Sequence, residues 1–203
     1  ACAVAKTALW IAESQMFRET EDIIHKEMDF LPLHTNSNIR EGNALRMDWK
    51  EVLPPSDDVK ILGNPPFVGY SLQSKEQKAD MLATYIDENG KPYKKAGKID
   101  YVSGWYFKAA EYMNGTNVKT AFVSTNSITQ GEQVADIWEP LYHRFGIHID
   151  FAYRTFRWDS ESTNKAHVHV VIIGLSACEN NGEKYLFTDN ISNLNYSTRL
   201  IRE

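Results

Sequence analysis

Residues 61–70 read ILGNPPFVGY, and Asn64, Pro65, Pro66 and Phe67 within them are the first candidates for chemistry in the chain. An asparagine and two tandem prolines close a short apolar run, Val59, Ile61 and Leu62, that otherwise has the character of a buried strand. Proline fixes φ and donates no backbone N–H, so a strand entering Pro65-Pro66 leaves its sheet with its last carbonyls rigidly aimed. Open α/β sheets bind ligands at strand ends that face a crevice. The chemistry expected there is the holding and aiming of a ligand by fixed acceptors.

Other groupings compete for attention. Glu76-Gln77-Lys78, with Asp57 or Asp58 upstream, imitates a metal-dependent nuclease pattern, but its Glu-x-Lys falls in the first turn of an expected helix, where that site needs a strand. His167 and His169 share a strand face without a third metal ligand in view, and read as ordinary strand residues. Cys2 and Cys178 have no metal spacing and form no disulfide framework. Lys91, Lys94, Lys95 and Lys98 crowd the hydrophilic segment 87–100; they read as a solvated loop or as contacts to DNA phosphates.

These residues need a frame. The 203 residues are 42% hydrophobic and 24% charged, enough for one well-packed core of an ordinary globular protein. No stretch approaches a membrane span, and Lys6, Glu13, Arg18 and Glu19 give the N-terminal segment none of the character of a signal peptide, so a cytoplasmic protein is expected. The net charge of −5 speaks against a free-standing nucleic-acid binder, and confines any DNA contact to a local surface. Ala5, Ala8, Leu9, Ala12 and Met16 form a helical stripe that begins without a cap, which reads as a cut fragment or a processed terminus.

Further along, residues 39–44 suggest a short strand, and residues 59–63 the next. Ser74-Lys75-Glu76-Gln77 has the form of a capping box opening a helix. Val102, Trp105, Tyr106, Ala109 and Met113 give a second helical stripe, and Val134, Ile137, Trp138, Leu141 and Phe145 a third, with Pro140 expected to kink that helix or set its start. KTAFVST at 119–125 has the apolar character of a strand buried on both faces. Residues 147–158 and 166–175 read as an antiparallel pair joined by a polar turn. The order predicts an α/β sheet ending in an antiparallel addition, followed by a polar tail from residue 176.

Asn64-Pro65-Pro66-Phe67 resembles the (Asn/Asp)-Pro-Pro-aromatic motif of S-adenosylmethionine-dependent amino-methyltransferases. Its neighbours narrow the likeness. GNPPFVG, YVSGWYFKAAEYM, KTAFVSTNSITQGEQV and YRTFRWDSESTNKAHVHVVIIGL together resemble the MmeI-like DNA adenine methyltransferases, bacterial restriction–modification enzymes, over about residues 1–175. The resemblance implies a Rossmann-like, mostly parallel methyltransferase sheet with a C-terminal antiparallel hairpin. No G-x-G occurs in the chain, so the family's cofactor loop and its first two strands are expected upstream. Residues 1–175 then form a partial catalytic domain, and 176–203 lead toward a target-recognition domain.

The same resemblance assigns roles. The Asn64 side chain and the Pro65 carbonyl would accept the two amino hydrogens of a flipped base, with adenine N6 favoured over cytosine N4. Phe67 would stack on one face of that base and Phe156 or Trp158 on the other, core packing being the alternative for the last two. Asn43 and Ala44, with Asn64, would contact the cofactor. Duplex DNA and the missing parts of the same polypeptide are the implied partners, and the isolated chain is expected to be inactive. Two other functions stay open: methylation of a protein glutamine, whose amide also fits such a site, and a non-catalytic DNA-binding or scaffold module.

Overall fold

The computed structural model describes residues 2–25, 39–158, 168–178, 183–188 and 197–200. In chain order the elements are α1 (Cys2–Ile24), α2 (Trp49–Val52), β1 (Lys60–Gly63), α3 (Lys75–Thr84), α4 (Ser103–Met113), β2 (Lys119–Thr125), α5 (Gln133–Phe145), β3 (His148–Trp158), β4 (Val168–Ser176), β5 (Tyr185–Thr188) and β6 (Ser197–Leu200). The chain divides into two units, Ala1–Leu53 and Pro54–Glu203.

In the first unit the expected N-terminal helix is present as α1. None of its residues is buried, and Leu9 and Met16 of the expected stripe are exposed. Among the described residues no helix is long and apolar enough to cross a membrane. The strand expected over residues 39–44 does not form. Asn43 instead accepts a hydrogen bond from Leu45 N and starts a 3-10 turn, Ala44–Arg46, which ends any extended run. The Trp49 indole donates to the Ala44 carbonyl at 2.9 Å, and Asp48 caps α2 through Lys50 N.

The second unit is a mixed α/β structure built on one sheet of order β1-β2-β4-β3-β5-β6, a partial Rossmann-like fold. β1 and β2 are parallel, with Gly63 opposite Phe122. β4 inserts antiparallel between β2 and β3, so the expected hairpin forms, and β3 runs parallel to β2. β5 adds parallel to β3 and β6 antiparallel to β5. The stretch from residue 176, polar in composition, therefore carries two strands: Tyr185, Leu186, Phe187 and Thr188 are a short run of strand formers that the surrounding polar residues obscure. The turn joining the hairpin, with His167, lies outside the described residues.

Within this unit α4 packs against β2, and α3 and α5 pack against α4. α4 is buried almost all round and bridges outward from the sheet. On its sheet side Tyr106 shares a 2.7 Å hydrogen bond with Ser124 and sets its ring edge-on to Phe122, while Thr120 donates to the Met113 sulfur. On its outer side Phe107 packs against Tyr85 of the segment following α3 and against Phe145 of α5. β2 consequently buries Thr120, Phe122 and Ser124 and leaves Ala121, Val123 and Thr125 half-exposed; the burial on both faces read from its apolar run becomes alternation. Burial holds the hydroxyls of Tyr85 and Tyr106 well above the ordinary phenol range, so both are neutral hydrogen-bonding groups and not acids.

Local signals are met where they were strong. The capping box of α3 is complete, Ser74 and Gln77 exchanging bonds of 3.2 and 2.9 Å. Glu76 is thus in a helical first turn, which leaves no strand for a nuclease pattern. Pro140 sits inside α5, buried, and the helix continues to Phe145; Gly146 then ends it in the left-handed region, φ 59°.

Gly174 of β4 lies under the Phe151 ring of β3, so close that a Cβ there would overlap the ring. Replacing Gly174 by alanine is expected to destabilise the protein by about 1–3 kcal/mol, because the ring must leave its place. Gly97, where a Cβ would meet no atom nearer than 3.9 Å, serves as the control: its alanine variant should unfold within about 0.5 kcal/mol of wild type in urea.

Candidate active site

β1 is four residues long because its sequence forbids more. Gly63 lets the Phe122 ring approach to 3.1 Å of its Cβ position, and the two prolines that follow Asn64 offer no donor to β2. β2 runs on through Thr125 while residues 64–67 turn away at its side. Asn64 is exposed, Pro65 buried, Pro66 exposed and Phe67 half-buried. Asn64 thus presents its amide at the carboxyl end of a parallel pair, where a crevice is expected on topological grounds.

The loop after Phe67 is held at three points by three consecutive residues. Val68 O accepts from Tyr101 N at 2.9 Å, Tyr70 N donates to Asp100 Oδ1 at 3.0 Å, and Gln73 Nε2 donates to Ile99 O at 2.9 Å. Asp100 is 6% exposed. Its other oxygen accepts from the Ser127 hydroxyl and from Gln133 Nε2, the latter at 3.1 Å, and its own N–H donates to Gln133 Oε1. Ser127 lies in the turn that leaves β2 and Gln133 is the first residue of α5. Sequence reading missed Asp100 because it closes a lysine-rich segment whose composition reads as solvated loop.

The far side of the same sheet end is formed by β3. One extra residue between Tyr153 and Phe156 bulges the strand, so that Phe156 pairs with Val170, itself opposite Thr125. The bulge turns Phe156 to the face of Tyr153, three residues earlier, and the two rings lie 6.4 Å apart. Thr155, in the bulge, donates to Asn126 Oδ1 just past β2. The backbone of Trp158 ends β3 opposite Val168. Phe67 and Phe156 are therefore both at the carboxyl end of the parallel strands, from different elements. Asn43 and Ala44 belong to the first unit, where both already serve the local turn.

The 87–100 segment is tied together by hydrogen bonds of its backbone, and its four lysines are all exposed. Asp87 Oδ1 accepts from the N–H groups of Asn89 and Lys91, Tyr93 N donates back to Tyr85 O, and the Arg144 guanidinium donates to Ile86 O. Lys95 pairs with Asp136 at 3.0 Å, and Lys94 and Lys95 line a cavity of about 380 Å³ that also receives Glu139 and His143. His169 is exposed on β4, opposite Arg157.

The site so described is the end of a short parallel strand in an α/β sheet, closed by Asn-Pro-Pro-Phe, and the chain that carries it is that of a DNA-methyltransferase domain. The sequence profile described as "MmeI, DNA-methyltransferase domain" matches residues 1–188. DNA methyltransferase A of Bacillus subtilis (strain 168) is 46% identical over 195 residues, covering 94% of this chain and 21% of that protein. The type IIL restriction-modification enzyme MmeI, solved in complex with DNA, superposes with a TM-score of 0.80 at 41% identity, covering 95% of this chain and 25% of MmeI. The chain belongs to the MmeI DNA-methyltransferase domain family, and spans about a fifth to a quarter of the length of these relatives.

The Asp87 turn gives a pH prediction. The bond from Lys91 N is the main reason its carboxyl lies below the ordinary 3.8, burial opposes it, and the bond from Asn89 N adds to the lowering. A depressed folded pKa means that the contribution to stability is complete above the unfolded value and disappears as pH falls through the folded one. An NMR titration should therefore place the Asp87 midpoint below 3.8, with the Lys91 amide shift moving at the same pH. A midpoint at or above that value would remove this turn as the loop's anchor.

Proposed function

We propose that this chain is part of the catalytic domain of a restriction–modification DNA amino-methyltransferase, acting on adenine N6 in preference to cytosine N4. The observation that carries the reading is Asn64: exposed, at a strand end fixed by Pro65-Pro66, with its side chain in no hydrogen bond among the described residues. MmeI's solution in complex with DNA supports duplex DNA as the partner.

An exocyclic amino group is a poor nucleophile because its lone pair is delocalised into the ring. Two acceptors can localise it. The Asn64 side-chain oxygen takes one amino hydrogen and the Pro65 carbonyl the other, drawing the nitrogen toward tetrahedral geometry. The proline ring fixes the direction of that carbonyl, so orientation and preorganised dipoles supply most of the catalysis. Phe67, half-buried, offers a ring face on which a flipped base can stack, and Phe156 the opposing aromatic surface; the side chain of Trp158, the alternative, lies outside the described residues. The lysines at 91, 94, 95 and 98 supply backbone contacts at most in part, since Lys95 already has Asp136.

S-adenosylmethionine supplies the methyl group as an electrophilic sulfonium. Of the contacts the reading assigns to it, Asn64 is exposed at the strand end of the second unit, and Asn43 and Ala44 are each half-buried in the first. No glycine-rich loop is found in the sequence to take the methionine part. In this reading the remaining cofactor elements and the recognition domain come from other parts of the full-length protein, and β1, at one edge of the described sheet, receives further strands. The isolated chain would be inactive.

The test is modified-base sequencing of DNA from a methylation-free host expressing the full-length protein or its Asn64→Ala variant. Methylated adenine should appear at one short sequence and fall by about 100-fold or more in the variant, as when one preorganised polar group is removed from an active site. Unmodified DNA from both, with soluble folded protein, would reject the DNA reading and turn attention to protein glutamine.

A further inference from the structure

We infer that Asp100 is the positioning residue of the proposed base site, resting on the reading of residues 64–67 as that site. Its carboxylate fixes the loop behind Phe67 to the turn after β2 and to the start of α5 at once.

Three facts point to it. First, the grip on the loop is ordered: residues 99, 100 and 101 hold residues 73, 70 and 68 in reverse sequence, and the last of these adjoins Phe67. Second, the carboxylate takes donors from three separate elements, Tyr70 N on one oxygen and Ser127 and Gln133 on the other. Third, these donors are all neutral, and the residue is only 6% exposed. A buried carboxylate is costly to desolvate, so it is an unfavourable way merely to fill space.

What the carboxylate offers, and no neutral side chain of its size does, is acceptors on both prongs. An asparagine would turn an N–H₂ group toward a donor on one side or the other. Capping of α4 does not explain the residue either: Ser103 N bonds the Asp100 carbonyl, while the carboxylate is directed to the loop, to Ser127 and to Gln133. Because Ser127 follows β2 and Tyr70 follows Phe67, a shift in this network moves Phe67 and Asn64 relative to the sheet end. Small errors of that kind cost large factors in rate when catalysis depends on alignment.

The test uses the full-length protein, with steady-state methylation of a duplex carrying its target site, DNA affinity measured separately, and thermal midpoints for every variant. Asp100→Asn should lower kcat by about 10–100-fold with DNA affinity within about twofold of wild type. Ser127→Ala should lower kcat in the same direction, and Ser127→Thr, which keeps the hydroxyl, should recover most of that loss. The inference is overturned if Asp100→Asn keeps the wild-type kcat, or if its loss only follows the unfolded fraction at the assay temperature. Should Asp100→Asn fail to fold, the Ser127 pair decides: equal rates in the alanine and threonine variants overturn the inference. A wild-type protein that methylates no DNA sinks the underlying reading itself, which the variant comparison cannot do.

Discussion

The carboxyl end of this sheet depends on two missing donors. Pro65 and Pro66 have no backbone N–H, so β1 cannot continue beside β2, and the chain is expelled at the row where Gly63 faces Phe122. Everything that follows must be held by something other than strand pairing. The loop 64–74 is fastened instead by the backbone of residues 99–101 and by the Asp100 and Gln73 side chains. A rigid exit and a tethered return leave Asn64 exposed on a short arc with little freedom.

The tether holds because the helix layer beneath it is tightly built. α4 follows residues 99–101 directly and is locked to β2 through Tyr106 and Ser124, while Tyr85, Phe107, Phe145 and Trp138 join it to the segment after α3 and to α5. Three polar groups inside that layer are given partners: Tyr85 donates to Ile137 O, the Trp138 indole to Ile128 O, and Tyr101 to Asp80, while the buried Ser103 hydroxyl of α4 has none among the described residues. Such satisfied polar contacts specify one arrangement of aromatic rings among many of similar volume. The rings supply the burial and the hydrogen bonds choose the register.

What was legible in the sequence was local. The α3 capping box, the 3.6-residue stripes of α4 and α5, the strand end at Asn64-Pro65-Pro66 and the β3–β4 hairpin are all encoded within a few residues of where they act. Three things were not. Asn43 diverts an apparent strand into a 3-10 turn through a side-chain bond two residues long, too small a signal to outweigh the apolar residues around it. The bulge before Phe156 changes which face that ring occupies, and its tie lies 29 residues away on Asn126. Asp100 bonds partners 27 to 33 residues distant, so nothing in its own neighbourhood marks it.

The placement of charge fits the proposed chemistry. Transfer to an amino nitrogen needs acceptors and alignment; as the N–CH3 bond forms the sulfonium's S–CH3 bond breaks, and the proton that the methylated nitrogen sheds passes along its hydrogen bonds to solvent water, so no titrating side chain has to keep it. The buried tyrosines of the helix layer, Tyr85 and Tyr106, are kept neutral by desolvation. The carboxylate closest to the loop is satisfied by neutral donors, and Lys95 is turned to Asp136. A lysine at the strand end would compete with the base for the Asn64 oxygen and the Pro65 carbonyl, and would place positive charge beside a sulfonium. A buried carboxylate on the loop behind Phe67, held by neutral donors, is consistent with a site whose catalytic power lies in geometry. In such a site, rate is governed by how firmly two acceptors are held, which is why the residues that fix the loop matter as much as those that meet the base.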